Sequence, residues 1–122
     1  MRFTQDSSSA THVIRGYAVG ELRIDNVTYR ETVLVSASTV ATLPELRNVD
    51  DLTLLDQSRI LALEPEIVLL GTGRLQVFPP ALLRASFLGA GIGFEVMDTG
   101  AACRTFNVLA AEQRRVVALL LV

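Results

Sequence analysis

Lysine is missing from this 122-residue chain, and all eleven of its basic residues are arginine. A phosphate-cradling P-loop lysine and a Schiff-base lysine are therefore excluded. Tryptophan is also absent, and there is one cysteine, Cys103, and one histidine, His12. A single cysteine rules out an internal disulfide framework and any cysteine-clustered zinc site, and makes a reducing compartment the default. A basic excess is lacking too. Eleven arginines face thirteen acids, for a net charge of -2, which argues against a nucleic-acid partner. The longest apolar run, Val116 to Val122, has seven residues. A bilayer span needs about 20, so no membrane insertion is expected. Met1 to Ala10 carries Ser7-Ser8-Ser9 and no apolar stretch, so it reads as neither a signal peptide nor an anchor. The expectation is a cytoplasmic protein, monomeric by default, whose first ten residues are partly flexible and whose first strand starts no earlier than about Thr11.

Half of the residues are apolar, which excludes intrinsic disorder. Residues 1–122 fit a single domain, since domains commonly run to about 100–150 residues. The chain reads as two halves. Leu22 and Ile24 alternate with Glu21 and Arg23, the period of a half-buried strand. Val13 and Ile14 open a strand before it, and Val27 to Tyr29 starts a return after an Asp25-Asn26 turn. Thr32 to Val35 reads as a more buried strand. Residues 37–52, broken by Pro44 and Asn48, read mostly as loop.

Thr53 and Asp56 have capping-box spacing for a helix over about 54–63, stopped by Pro65. Ile67 to Leu70 suits a buried strand. Pro79-Pro80 and Gly89 bracket a second helix. Ile92 to Met97 is a strand, and Asp98 or Thr99 caps a helix over about 100–112. Arg114 to Leu121 is a final, interior strand. Helices alternating with strands predict parallel pairing through crossovers. The fold class expected is thus α/β: an N-terminal antiparallel meander followed by an alternating helix–strand unit.

Few residues suggest chemistry. Gly71-Thr72-Gly73 follows a buried strand, where backbone N–H groups can approach an anion; the alternative is a structural turn. The dinucleotide fingerprint is incomplete, because Gln76 stands where its last glycine belongs. Gly89, Gly91 and Gly93 precede a strand and suit a helix C-terminus. Glu95 interrupts an apolar strand, so it requires a partner, a functional role or exposure. Arg104 is the expected partner. Arg104 and Asn107 share a helix face, either as an anion-recognising pair or as a solvated surface. Cys103 with His12 is a weak nucleophile–base pairing, since a thiol in an apolar helix behaves as a small hydrophobe. Neither a metal centre nor a cofactor is indicated.

Three stretches together resemble a known family: Pro65 to Gly73, Gly91 to Thr99, and Ala101 to Leu109, completed by Glu112 and Val116 to Leu119. They are similar to the Mth-type domain family, a domain of unknown function. Its relatives include a mitochondrial complex I assembly factor and an adipogenesis-associated protein. The resemblance implies one α/β domain with a mixed sheet and a second small sheet. It implies no reaction, and in the mitochondrial relatives it implies assistance to respiratory-complex assembly. The recurrent positions map onto Gly71, Gly73, Glu95, Thr99, Arg104, Thr105 and Asn107. Gln113-Arg114 departs from the pattern, which there expects a glycine-containing turn.

Two functional readings follow. One is a non-catalytic binding or assembly-assisting domain with a protein partner. The other is a small-molecule binder or enzyme, whose pocket at the strand ends would be lined by Gly71, Thr72, Gly73, Glu95, Thr99, Arg104 and Asn107.

Overall fold

The computed structural model describes residues 11–122. Eight strands and three helices follow in the order β1 (Ile14–Ala18), β2 (Glu21–Ile24), β3 (Val27–Tyr29), β4 (Val33–Val35), β5 (Val40–Thr42), α1 (Leu54–Leu61), β6 (Ile67–Thr72), α2 (Ala81–Gly89), β7 (Gly93–Met97), α3 (Thr99–Ala111) and β8 (Val116–Leu121). They form an α/β domain with a three-stranded antiparallel sheet, β1-β2-β3, and a five-stranded mixed sheet ordered β5-β4-β8-β6-β7. Strands β8, β6 and β7 run parallel, while β4 is antiparallel to β8 and to β5. The reading of Ser7 to Ser9 as loop lies outside the described residues.

Alternation along the strands divides the core in two. Val68, Leu70, Phe94, Val96, Val117 and Leu119 face α1 and α2, where Phe87 stacks on Phe94 with ring centroids 5.1 Å apart. Leu69, Val116, Ala118 and Leu120 face the other way, toward α3 and toward Ile14, Leu22 and Ile24 of the small sheet. All six residues of β8 are buried, as expected of a strand covered on both faces.

The two sheets share no strand. The His12 N–H donates to the Ala37 carbonyl at 3.0 Å. The Asn107 amide on α3 spans the Ile14 backbone, accepting from its N–H at 2.9 Å and donating to its carbonyl at 2.8 Å. This contact sits where β1 bulges, between Ile14 and Gly16. Within the small-sheet layer, the β2–β3 turn is tied to the segment that precedes β1. His12 Nδ1 is 2.7 Å from Asp25 Oδ2, and the Val13 N–H reaches Asp25 Oδ1 at 3.0 Å. The His12 hydrogen bond first, then that of Val13, holds the Asp25 carboxyl below the ordinary carboxylate range. A depressed folded pKa adds stability above the unfolded value, and that gain disappears as pH falls through the folded value. Asp25→Asn is therefore expected to destabilise the protein at pH 7, with the gap to wild type closing below about pH 4. Urea unfolding of both proteins across that range measures it; a pH-independent gap would contradict the linkage.

Most boundaries match expectation. Thr53 and Asp56 form the capping box of α1, and Asp98 caps α3 by accepting from the Ala101 N–H at 2.9 Å. The region 37–52 is mostly loop, as expected, but it also holds β5 and a 3-10 turn, Val49–Asp51, that the sequence did not signal. Strand β5 has only three residues, too few to show a period. A Ser36 turn sets its pairing, with the Ser36 hydroxyl accepting from the Thr39 N–H at 3.1 Å.

Helices α2 and α3 end alike. After α2, Gly91 has φ 78°, its N–H reaches the Leu88 carbonyl, and the next N–H, from Ile92, reaches Phe87. After α3, Gln113 has φ 63°, with the equivalent bonds to Ala110 and, from Arg114, to Leu109. Both are Schellman endings, which favour glycine at the left-handed position. A non-glycine residue there costs about 1–2 kcal/mol, partly offset by the greater unfolded-state freedom of glycine. Gln113→Gly should thus raise stability by about 0.5–1 kcal/mol in chemical denaturation. A loss of stability would contradict this account of the turn.

Candidate functional site

The residues singled out at the strand ends do not converge on one place. Gly71, Thr72, Gly73 and Thr99 come together, and the Arg104 guanidinium reaches Gly100 on the outer side of the same helix turn; Glu95 and Asn107 lie elsewhere.

Strand β6 extends through Gly71 and Thr72, so the turn begins only at Gly73, which has φ 95°. Gly71 is required by close approach. A Cβ there would lie 3.0 Å from Thr99 Cα, from Thr99 Oγ1 and from Leu120 Cδ2. The missing side chain lets the first turn of α3 rest on the sheet. Thr99 is fully buried, and its hydroxyl accepts from the Gly73 N–H at 2.7 Å and donates to the Leu121 carbonyl at 2.6 Å. The Thr99 N–H in turn donates to the Gly73 carbonyl at 2.8 Å. One threonine thus ties the turn after β6, the end of β8 and the start of α3. The Thr72 hydroxyl donates to the Leu75 carbonyl at 2.6 Å and accepts from the Val77 N–H at 3.0 Å. The polar atoms of this cluster are engaged in building the fold. Beside it lies a recess of about 170 Å³, bordered by Arg47, Asn48, Thr72, Gly73 and Leu121.

The expected ion pair between Glu95 and Arg104 does not form; both side chains are exposed, and neither has an ion-pair partner among the described residues. The reason is topological. Strand β7 is an edge, so Glu95 emerges at the sheet margin. Helix α3 lies over β6 and β8 and against β1. The Arg104 guanidinium points to the β1 side, beside Gly100, where the Tyr17 ring also approaches. Asn107 does not pair with Arg104, since its amide is taken by Ile14.

Cys103 and His12 are likewise separate. Burial pushes the Cys103 thiol up to about 11, the opposite of an activated nucleophile, and His12 is held by Asp25. Among the described residues no group of His, Cys, Asp and Glu is placed to hold a metal ion, and no helix is long and apolar enough to cross a membrane.

Sequence reasoning missed a surface. Leu75, Val77 and Phe78 in the β6–α2 connection, and Leu82 in the first turn of α2, are 60%, 45%, 69% and 72% exposed. The signal was present in the sequence, where four bulky apolar side chains fall within eight residues that contain no acid.

The molecule is an α/β domain with a small antiparallel sheet beside a five-stranded mixed sheet, and solved proteins share this fold. The chain belongs to the family described as "Protein of unknown function (DUF498/DUF598)", whose pattern matches residues 14–121. A solved protein of Bordetella parapertussis is 34% identical, with TM-score 0.84, over 92% of this chain and 96% of that one. A solution structure from Bordetella pertussis, described as a Mth938-like domain, is 28% identical with TM-score 0.79, covering 99% and 92%. A Francisella tularensis protein named "13 kDa major membrane protein" is 29% identical over 95% of both chains.

Proposed function

We propose that this chain is a non-catalytic binding domain of an assembly-assisting kind, acting in the cytoplasm by holding a partner rather than converting a substrate. One observation carries the reading: the exposed apolar surface of Leu75, Val77, Phe78 and Leu82. Bulky apolar groups concentrated on one connection favour association, because covering them removes apolar area from water. The Francisella relative is named for a membrane, and an apolar contact surface is compatible with work at a membrane face. The engagement of Thr72, Gly73 and Thr99 in the fold's own hydrogen bonds supports a structural rather than catalytic role for that cluster.

A second reading places a small ligand in the recess beside Gly73. At about 170 Å³ it is below the ~300–1,000 Å³ of ordinary ligand pockets. Affinity capture from native lysate with wild type and with a folded Phe78→Ser/Leu82→Ser variant separates the two readings. A specific protein retained by wild type and lost by the variant supports the binding domain. Turnover of a metabolite with no partner captured would sink it.

A further inference from the structure

We propose that the β6–α2 connection is a peripheral membrane contact that docks on an anionic lipid surface. The inference rests on the binding reading above and names the chemistry of the partner.

Charge is the first argument. The chain carries thirteen acids and a net charge of -2, yet no Asp or Glu occurs from Ile67 to Phe94. The only charged residues in that stretch are Arg74 and Arg84. Both are exposed, and neither has an ion-pair partner among the described residues. They bracket the exposed Leu75, Val77, Phe78 and Leu82. The next carboxylate along the chain, Glu95, lies on the sheet face opposite to α2, since Phe94 and Val96 face that helix. An apolar connection that carries two arginines and no carboxylate of its own, although Asp50 lines the recess beside Val77, complements a bilayer with anionic headgroups. Apolar side chains enter the headgroup–acyl boundary, and arginines reach phosphates while their stems stay in apolar surroundings.

Pre-organisation is the second argument. The Thr72 hydroxyl clamps Leu75 and Val77 by their backbones, and the Gln76 side-chain amide donates to the Val96 carbonyl at 2.9 Å. The polar member of the run is thus turned back onto the sheet margin, while Leu75 and Val77 on either side stay exposed. Pro79 and Pro80 restrict the backbone just beyond Phe78. A loop already fixed in this form loses little freedom on docking.

Vesicle flotation tests the proposal. Wild type should float with mixed phosphatidylcholine–phosphatidylglycerol vesicles, binding about tenfold more strongly than to phosphatidylcholine alone. Phe78→Ser/Leu82→Ser should abolish flotation while keeping the wild-type amide spectrum. Arg74→Gln/Arg84→Gln should erase the preference for phosphatidylglycerol. Failure of wild type to bind mixed vesicles, or undiminished binding by the serine variant, would overturn the inference. If wild type failed to bind mixed vesicles while lysate capture still depended on Phe78 and Leu82, the lipid inference would fall and the binding reading would stand. A dimer in lipid-free solution that the serine variant dissociates, without vesicle binding, would assign the surface to a second copy.

Discussion

Removing Leu119 to Val122 should leave a chain that does not fold. Strand β8 is the central strand of the five-stranded sheet, with Leu119 and Leu120 paired to Leu34 and Val33 on one side and to Leu70 and Gly71 on the other. Leu119, Leu120 and Leu121 are 1%, 0% and 4% exposed. Truncating one such leucine to alanine commonly costs about 2–5 kcal/mol. Deleting three also opens ladder groups on β4 and β6 and removes the carbonyl that Thr99 donates to. The combined loss reaches the whole stability of a typical domain, about 5–15 kcal/mol. A proton–nitrogen correlation spectrum of the truncated chain is expected to be collapsed; well-dispersed amides would refute the central role of β8.

Thr99→Val should be the most damaging near-isosteric change in the molecule. Valine keeps the volume, so no cavity forms, but it strips the hydrogen-bond partner from the Gly73 N–H and the Leu121 carbonyl. A buried polar group left unpaired costs about 1–3 kcal/mol, so the pair together costs about 2–5 kcal/mol. Thr99→Ser keeps the hydroxyl and should lose less than half as much. Urea unfolding of the two variants decides the matter, and a Thr99→Ser loss as large as that of Thr99→Val would mean that the methyl group counts for as much as the hydroxyl.

The parts of the fold that were legible in the sequence are those carried by period and punctuation. Leu22 and Ile24 alternating with charges marked β2, and Thr53 with Asp56 marked the start of α1. The apolar run after Arg115 marked β8 as interior. Strand β5 was hidden because Val40-Ala41-Thr42 is too short to show alternation, and its pairing depends on the Ser36 turn. The candidate site was less legible. Thr99 next to Asp98 reads as one of two alternative caps; only the tertiary fold shows Asp98 capping while Thr99 bridges two strand ends. Glu95 and Arg104 are nine residues apart and looked able to meet, but edge placement of β7 sends one to the sheet margin, and α3 turns the other toward β1. Asn107 reads in the sequence as half of an anion-recognising pair with Arg104 or as a solvated surface group, since no local pattern signals a side chain that satisfies a backbone ninety-three residues away. The apolar connection after Gly73 was visible as composition, but exposure is a property of the folded molecule.

The separateness of the two sheets has a consequence for how the molecule comes apart. Among the described residues, the β1–β3 ribbon is joined to the rest of the fold by the His12–Ala37 backbone hydrogen bond, by the amide of Asn107 and by packing of Ile14, Leu22 and Ile24 toward α3. It can lift away while every rung of the five-stranded ladder stays made. The reverse does not hold. Loss of the large sheet removes the surface on which α3 rests, and with it the seat of the ribbon. Opening is therefore ordered in one direction, with the ribbon as a smaller cooperative unit nested within a larger one.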